Sequence, residues 1–199
     1  MRNMRVYYFT LSAFAISNIA MRRIKISRLQ DLNDPFELLA VNLAEITERE
    51  KIMKIKDDVN KTSGLICFSI SWKNPLLWGH YAEKHAGIAL GFDVKDEMLV
   101  PVLYANKLKY PDFDPETGKL KQDDLLNLLR TKFNDWQYEK EVRLFVGLDV
   151  NKKESDMYFE PFTEDLQLRE IVLGPKCELP IKAMRTLVND YTPKVDVIT

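Results

Sequence analysis

The chain has 199 residues, 46% of them hydrophobic and 30% charged, and its 29 basic and 30 acidic residues leave a formal net charge of −1. That length supports one domain with its own core, and the charge balance excludes the basic excess that drives strong non-specific nucleic-acid binding. Two cysteines, Cys67 and Cys177, are too few for a disulfide framework, and two histidines without a Cys-x-x-Cys pair make a poor zinc ligand set.

In chain order, Val6 to Phe9 reads as a short strand of aromatic and β-branched residues. Ser12 is placed to cap a helix from Ala13 to Arg23, and Ile24 and Ile26 alternate with Lys25 and Ser27 as a brief strand. The apolar run from Leu11 to Met21 is interrupted by Ser12, Ser17 and Asn18 and lacks the charge order of a signal peptide. No window approaches the length of a membrane span, so the expectation is a soluble, cytoplasmic protein without membrane contact. Asn33-Asp34-Pro35-Phe36-Glu37 has the chemistry of a helix start, with a cap, a proline at the first position and an acid in the first turn. The helical pattern from Phe36 to about Asn60 ends in a charged arm, about residues 45–62, expected to be solvated and mobile.

Leu65 to Ile70 is a buried strand by length and apolarity, which places Cys67 in the interior between Ile66 and Phe68. Asn74-Pro75 starts a helix that runs to Lys84 and carries Trp78, His80 and Tyr81; a strand follows from Gly87 to Phe92. Leu99 to Tyr104 is a strand interrupted at Pro101, hence an edge or a bulge. After a loop from Pro111 to Lys121, Asp123 and Asp124 open a helix carrying Leu125, Leu128, Leu129 and Phe133. Glu139 to Leu148 alternates charged and apolar residues as a half-buried strand. Short strands near Tyr158–Phe162 and Arg169–Leu173, a helix from Pro180 and a strand at Val195–Ile198 complete the chain. Several strands occur in succession and no repeat is present. The expected fold is therefore a single α+β domain over 1–199, with a mixed or antiparallel central sheet flanked by helices.

Polar and aromatic residues collect between Gly64 and Asp93, the stretch holding both histidines. Ser69 and Ser71 are two apart, so on one strand they share a face. They either satisfy backbone groups at the strand end or bond a ligand. Core packing is the ordinary role of Trp78 and Tyr81, while His80 lines up with Leu76 and Lys84 on its helix. Glu139, Glu141 and Arg143 share a strand face, either as a surface ion-pair ladder or as a carboxylate oriented for chemistry by the arginine. Trp136 and Tyr138 just before them indicate partial burial.

The order of Asn-Asp-Pro-Phe-Glu from 33, Phe-Ser-Ile-Ser from 68, Leu76 to Asp93, Trp136 to Phe145 and Arg169 to Pro175 resembles the bacterial and phage family called domain of unknown function 2971, whose name assigns no activity. A strand ending in Ser-x-Ser, followed far downstream by one carrying Glu-x-Glu, is similar to the layout of ADP-ribosyltransferases. That resemblance implies NAD as substrate. Ser69 and Ser71 support it, and Glu141, with Glu139 as its motif partner, stabilises the oxocarbenium-like ribose as nicotinamide leaves. The family's phosphate-holding arginine or histidine on the first strand is replaced here by Arg5 just before Val6, or by Tyr7 or Tyr8. Tyr81 and Tyr104 are implied as nicotinamide walls, and Trp78, His80 and Arg143 complete the binding set. The implied activity is NAD-dependent ADP-ribosyl transfer to nucleic acid or protein, in a toxin or phage-defence setting. The same residues leave open a non-enzymatic sensor for a nucleotide-like small molecule, an interaction protein using the Glu48–Lys61 arm, and a magnesium-dependent nuclease built on Asp34, Glu37, Glu139 and Glu141.

Overall fold

The computed structural model describes residues 2–32, 46–106, 114 and 120–199. Asp34 and Glu37, the helix start at Asn33–Glu37 and most of the loop at 111–121 lie outside the described residues.

The first strand, β1 (Asn3–Thr10), leads into helix α1 (Ser12–Ala20) and strand β2 (Arg23–Ile26). Helix α2 (Ile46–Thr62) runs into β3 (Ser63–Ser69), which is followed by α3 (Pro75–Tyr81) and β4 (Ile88–Lys95). Two short strands, β5 (Leu99–Pro101) and β6 (Leu103–Ala105), precede α4 (Gln122–Arg130), β7 (Thr131–Phe133) and β8 (Glu141–Gly147). The chain closes with β9 (Lys153–Glu154), β10 (Met157–Pro161), β11 (Leu166–Leu173), α5 (Ile181–Leu187) and β12 (Asp196–Ile198).

Among the described residues seven strands form the central sheet, in the order β12-β11-β4-β1-β3-β8-β5. Every neighbouring pair is antiparallel except β11 and β12, as an α+β sheet of successive strands requires. β1 pairs with β4 from Asn3↔Lys95 to Thr10↔Ile88, and β3 pairs with β8 from Ser63↔Gly147 to Ser69↔Glu141. Between β1 and β3 the pairing is a single rung, Tyr7↔Ser69. The sheet is thus two well-laddered halves that touch at one point and diverge beyond it.

Alternation along the strands divides the core. Val6, Ile66, Phe68, Phe92, Val142 and Leu144 face α1 and α5, where Ala15, Ile19, Met184 and Val188 cover them. On the opposite face Trp78 and Ala82, at the end of α3, pack over Ala89 and Val172 on one half-sheet. Ile52, Leu128 and Leu129, from α2 and α4, pack over Leu65 on the other. Ile55 and Val59 dock with Ile52, so the charged arm expected at about 45–62 is anchored along one face rather than loose.

Several boundaries differ from the sequence reading. The helix from Pro75 ends at Tyr81, because Glu83, Lys84 and His85 all have positive φ (51°, 51° and 78°) and turn the chain left-handed. Gly174 closes this turn from below: a Cβ there would sit 2.3 Å from the His85 carbonyl oxygen. Phe133 lies in β7, not in the helix, since α4 stops at Arg130. The strand expected from Glu139 begins at Glu141; Asn134–Glu139 is a 3-10 segment, and Lys140 (φ 47°) reverses direction between them. Pro101 ends the edge strand β5, and the chain then leaves the sheet, so Leu103–Ala105 pairs with β7 in a separate two-stranded unit. Among the described residues no helix is long and apolar enough to cross a membrane.

Candidate functional site

Where the two half-sheets part, a cavity of about 330 Å³ opens on the face between α3 and the α2–α4 layer. Tyr7, Tyr8 and Phe9 of β1 form one wall, and Cys67, Phe68 and Ser69 of β3 the other. His80 and Tyr81 close one end from α3, while Ser27, Asp31 and Leu32 stand at the other end. On the β3 side lie four ionisable residues: Lys132, Glu139, Glu141 and Arg143.

These four form a connected cluster. Register across β3 and β8 puts Glu141 opposite Ser69 and Arg143 opposite Cys67, all facing the cavity. Arg143, 0% exposed, donates from Nε to Glu141 Oε1 at 2.8 Å and from Nη2 to Oε2 at 3.3 Å, a two-point grip on the carboxylate. Its Nη1 donates to the Leu129 carbonyl at 2.6 Å, tying the guanidinium to the end of α4. Lys132, delivered by β7, donates from Nζ to Glu139 Oε2 at 2.6 Å and to Glu141 Oε2 at 3.2 Å. Tyr81 donates its hydroxyl to Glu139 Oε1 at 2.5 Å, linking α3 to the cluster. The backbone N–H of Glu141 donates to the Tyr104 hydroxyl at 2.8 Å.

Two cations and two anions balance, yet the carboxylates are driven in opposite directions. Burial works to raise Glu141, but Arg143 and Lys132 outweigh it and hold the group at about 2. Glu139 is raised above the ordinary carboxylate value because burial prevails over Lys132 and the Tyr81 hydroxyl, and the Glu141 charge adds to the rise. One carboxylate is a fixed anion and its neighbour takes a proton more readily. That division is the usual basis of paired acid–base roles.

The cavity brings together Ser69, His80, Tyr81, Glu139, Glu141, Arg143 and Tyr7 from the expected site set. Ser71 falls past the strand end and does not line it. Its N–H donates to Ser69 Oγ at 3.3 Å, and Ser69 Oγ donates to the Ser71 carbonyl at 3.0 Å, so this pair satisfies the turn where the chain leaves the sheet. Trp78 is 5% exposed in the core, its indole N–H donating to the Trp72 carbonyl. Tyr104 acts through the Glu141 backbone rather than as a wall. Arg5 lies outside the cavity, paired with Asp93 at 2.6 Å and Glu170 at 3.8 Å. The Tyr7 phenol is pushed up to about 12 by burial and by neighbouring Glu170. Cys67 is half-buried and faces the cavity, against the expectation of a fully interior thiol, because it shares the strand face of Ser69 rather than that of Ile66 and Phe68.

Sequence reasoning missed Lys132, Cys67, Phe9 and Asp31. Lys132 carried a faint signal, a lysine between Thr131 and Phe133 just past an amphipathic helix, which is costly unless the ammonium finds an acid. Among the described residues no group of three or more His, Cys, Asp and Glu could hold a metal ion. The glutamates of the nuclease reading are engaged by Lys132 and Arg143.

The model of a family described as "Protein of unknown function (DUF2971)" matches residues 77–144, the span that supplies His80, Tyr81, Lys132, Glu139, Glu141 and Arg143. No curated protein and no solved structure matches the chain.

Proposed function

We propose that the cavity receives the nicotinamide–ribose end of NAD and that the protein transfers ADP-ribose to an acceptor. The observation that carries this reading is the convergence of Glu141, Glu139 and Ser69 at the seam of the sheet, with one carboxylate held ionised and the other raised. As the bond between the ribose C1′ and the nicotinamide nitrogen breaks, its electron pair leaves with neutral nicotinamide and positive charge grows on the sugar. Glu141, fixed as an anion in a site walled by Tyr8, Phe9 and Phe68, supplies the opposing charge. An acceptor hydroxyl or amine then bonds to C1′ and gives its proton to Glu139. The volume suits one nucleoside-sized half of the substrate, in the range of small-ligand sites. Arg5 is committed to Asp93 outside the cavity, so the pyrophosphate would rest on groups other than this arginine.

A second reading, a nucleotide-binding sensor without turnover, is favoured by one feature: the four charges already neutralise one another and hold a rigid wall.

The test is nicotinamide release from NAD by wild type, Glu141→Asp and Glu139→Gln, with a melting curve for each. Glu141→Asp keeps a charge for Arg143 while withdrawing the carboxylate, and a fall of about 10² to 10³ in rate with the fold intact is expected. NAD that binds without nicotinamide release, with protein and nucleic-acid acceptors supplied, would leave the sensor reading standing.

A further inference from the structure

From the cavity wall outward, four rings form a continuous track. Tyr81 and His80 on α3 have centroids 6.1 Å apart, His80 lies 6.1 Å from Tyr138, and Tyr138 lies 6.0 Å from Trp136. The last two contacts are tilted by only 31° and 37°, so the rings fan outward from the mouth with similar orientation. His80 is exposed and Tyr138 and Trp136 are half-buried, with the Lys132 ammonium 4.8 Å from the Trp136 ring centroid. The track is fixed from both sides: Asn74 Nδ2 donates to the Tyr138 carbonyl at 2.9 Å, and the Ile70 N–H donates to the Lys140 carbonyl at 3.2 Å. Lys73 precedes Asn74 in the chain and Lys140 supplies the accepting carbonyl of the second bond, so both exposed lysines stand next to these two bonds. Lys73 Nζ stands 6.0 Å from the Trp72 ring centroid, and Asp135 stands near the start of the 3-10 segment.

We infer that the His80–Tyr138–Trp136 track is a stacking platform for unpaired bases of a single-stranded nucleic acid, with Lys73 and Lys140 receiving its phosphates. Flat rings accept any base through its π-face, and flanking lysines follow the backbone. Duplex bases are already stacked and offer the rings nothing. A local pair of lysines suffices for this, so the near-neutral net charge of −1 is no obstacle. The track ends at Tyr81 and His80 in the cavity wall, which makes it the approach for the acceptor under the proposed function; only this consequence rests on that reading.

Binding is measured without NAD, by anisotropy of a labelled single-stranded oligonucleotide of about ten nucleotides. Wild type is expected to bind it at least tenfold more tightly than the matching duplex. Trp136→Ala should weaken binding roughly tenfold, the loss of one stacked base. Lys140→Glu should weaken binding and flatten its salt dependence. His80→Ala alters an exposed side chain and carries the test if Trp136→Ala melts early. Absence of binding, equal affinity for duplex, or unchanged affinity in both His80→Ala and folded Trp136→Ala would overturn the inference. Nicotinamide release without oligonucleotide binding would sink the platform and leave the transferase reading in place. Oligonucleotide binding without release would do the reverse.

Discussion

Ser69 stands directly opposite Glu141 on β8 and directly opposite Tyr7 on β1, so one residue holds the only rung between the half-sheets among the described residues and faces the fixed anion of the cavity. Its hydroxyl already serves the Ser71 turn through two hydrogen bonds. Ser69→Ala is therefore expected to cost about 1 kcal/mol of stability for a neutral hydrogen bond. An equal loss of NAD affinity, measured by calorimetry, would show that the hydroxyl also reaches the ligand.

Glu141→Gln is expected to be far more damaging than its isosteric shape suggests. Arg143 is fully buried and keeps its charge, so removing its main anion should cost about 3–5 kcal/mol. The pH dependence follows from the direction of the shift. A carboxylate whose folded value is depressed from 4.5 to about 2 stabilises the protein above 4.5 and loses that contribution as pH falls toward 2. Urea unfolding between those limits should lose stability more steeply in wild type than in Glu141→Gln. Glu139, raised by burial, has the opposite sign: its contribution is present at low pH and lost as pH rises through its elevated value.

Lys132→Met should also destabilise by several kcal/mol, because Glu139 and Glu141 then face one another without the bridging ammonium. Combining it with Glu139→Gln should cost less than the sum of the two changes, since they share one network. Strict additivity in the denaturation series would show that the ammonium and the Glu139 carboxylate are not coupled.

Cys67 is expected to react with small neutral thiol reagents in the folded protein and to be shielded when a ligand fills the cavity, while Cys177 is not. Mass spectrometry of the labelled chain, with and without NAD, reads both thiols in one sample. Equal protection of the two would place the ligand elsewhere.

Lys84 has φ 51° and ψ 48° with an exposed side chain. Lys84→Gly should leave stability unchanged or raise it by up to about 1 kcal/mol, while Lys84→Val should lower it. Thermal melts of the two variants should move apart.

The sequence made the architecture legible wherever a two-residue or helical period was clean. Leu65–Ser69 and the apolar part of β8 announced a central pair, and Asn74-Pro75 announced α3. Convergence of Glu139 and Glu141 was legible as well, though for a different reason than strand alternation: Glu139 sits on a 3-10 turn, and the left-handed Lys140 brings its carboxylate to Lys132. Lys132 stayed hidden because its partners are set by the short parallel pairing of β6 and β7, which leaves no periodic trace. The face of Cys67 was readable from the spacing to Ser69. Its apolar neighbours Ile66 and Phe68 pointed to burial only because they line the opposite side of the same sheet.

The two walls of the cavity draw on strands that alternate along the chain. β1, β4, β11 and β12 lie on one side of the seam, and β3, β5 and β8 lie on the other. No single cut in the backbone separates the two half-sheets into different fragments. The crevice is therefore not a junction between two segments laid end to end, and a single crossover could not exchange one half-sheet while leaving the other untouched. The half-sheet of β1, β4, β11 and β12 is finished only when the last two strands have been synthesised, so a nascent chain released after β8 would carry Ser69 and Glu141 without the full half-sheet across from them.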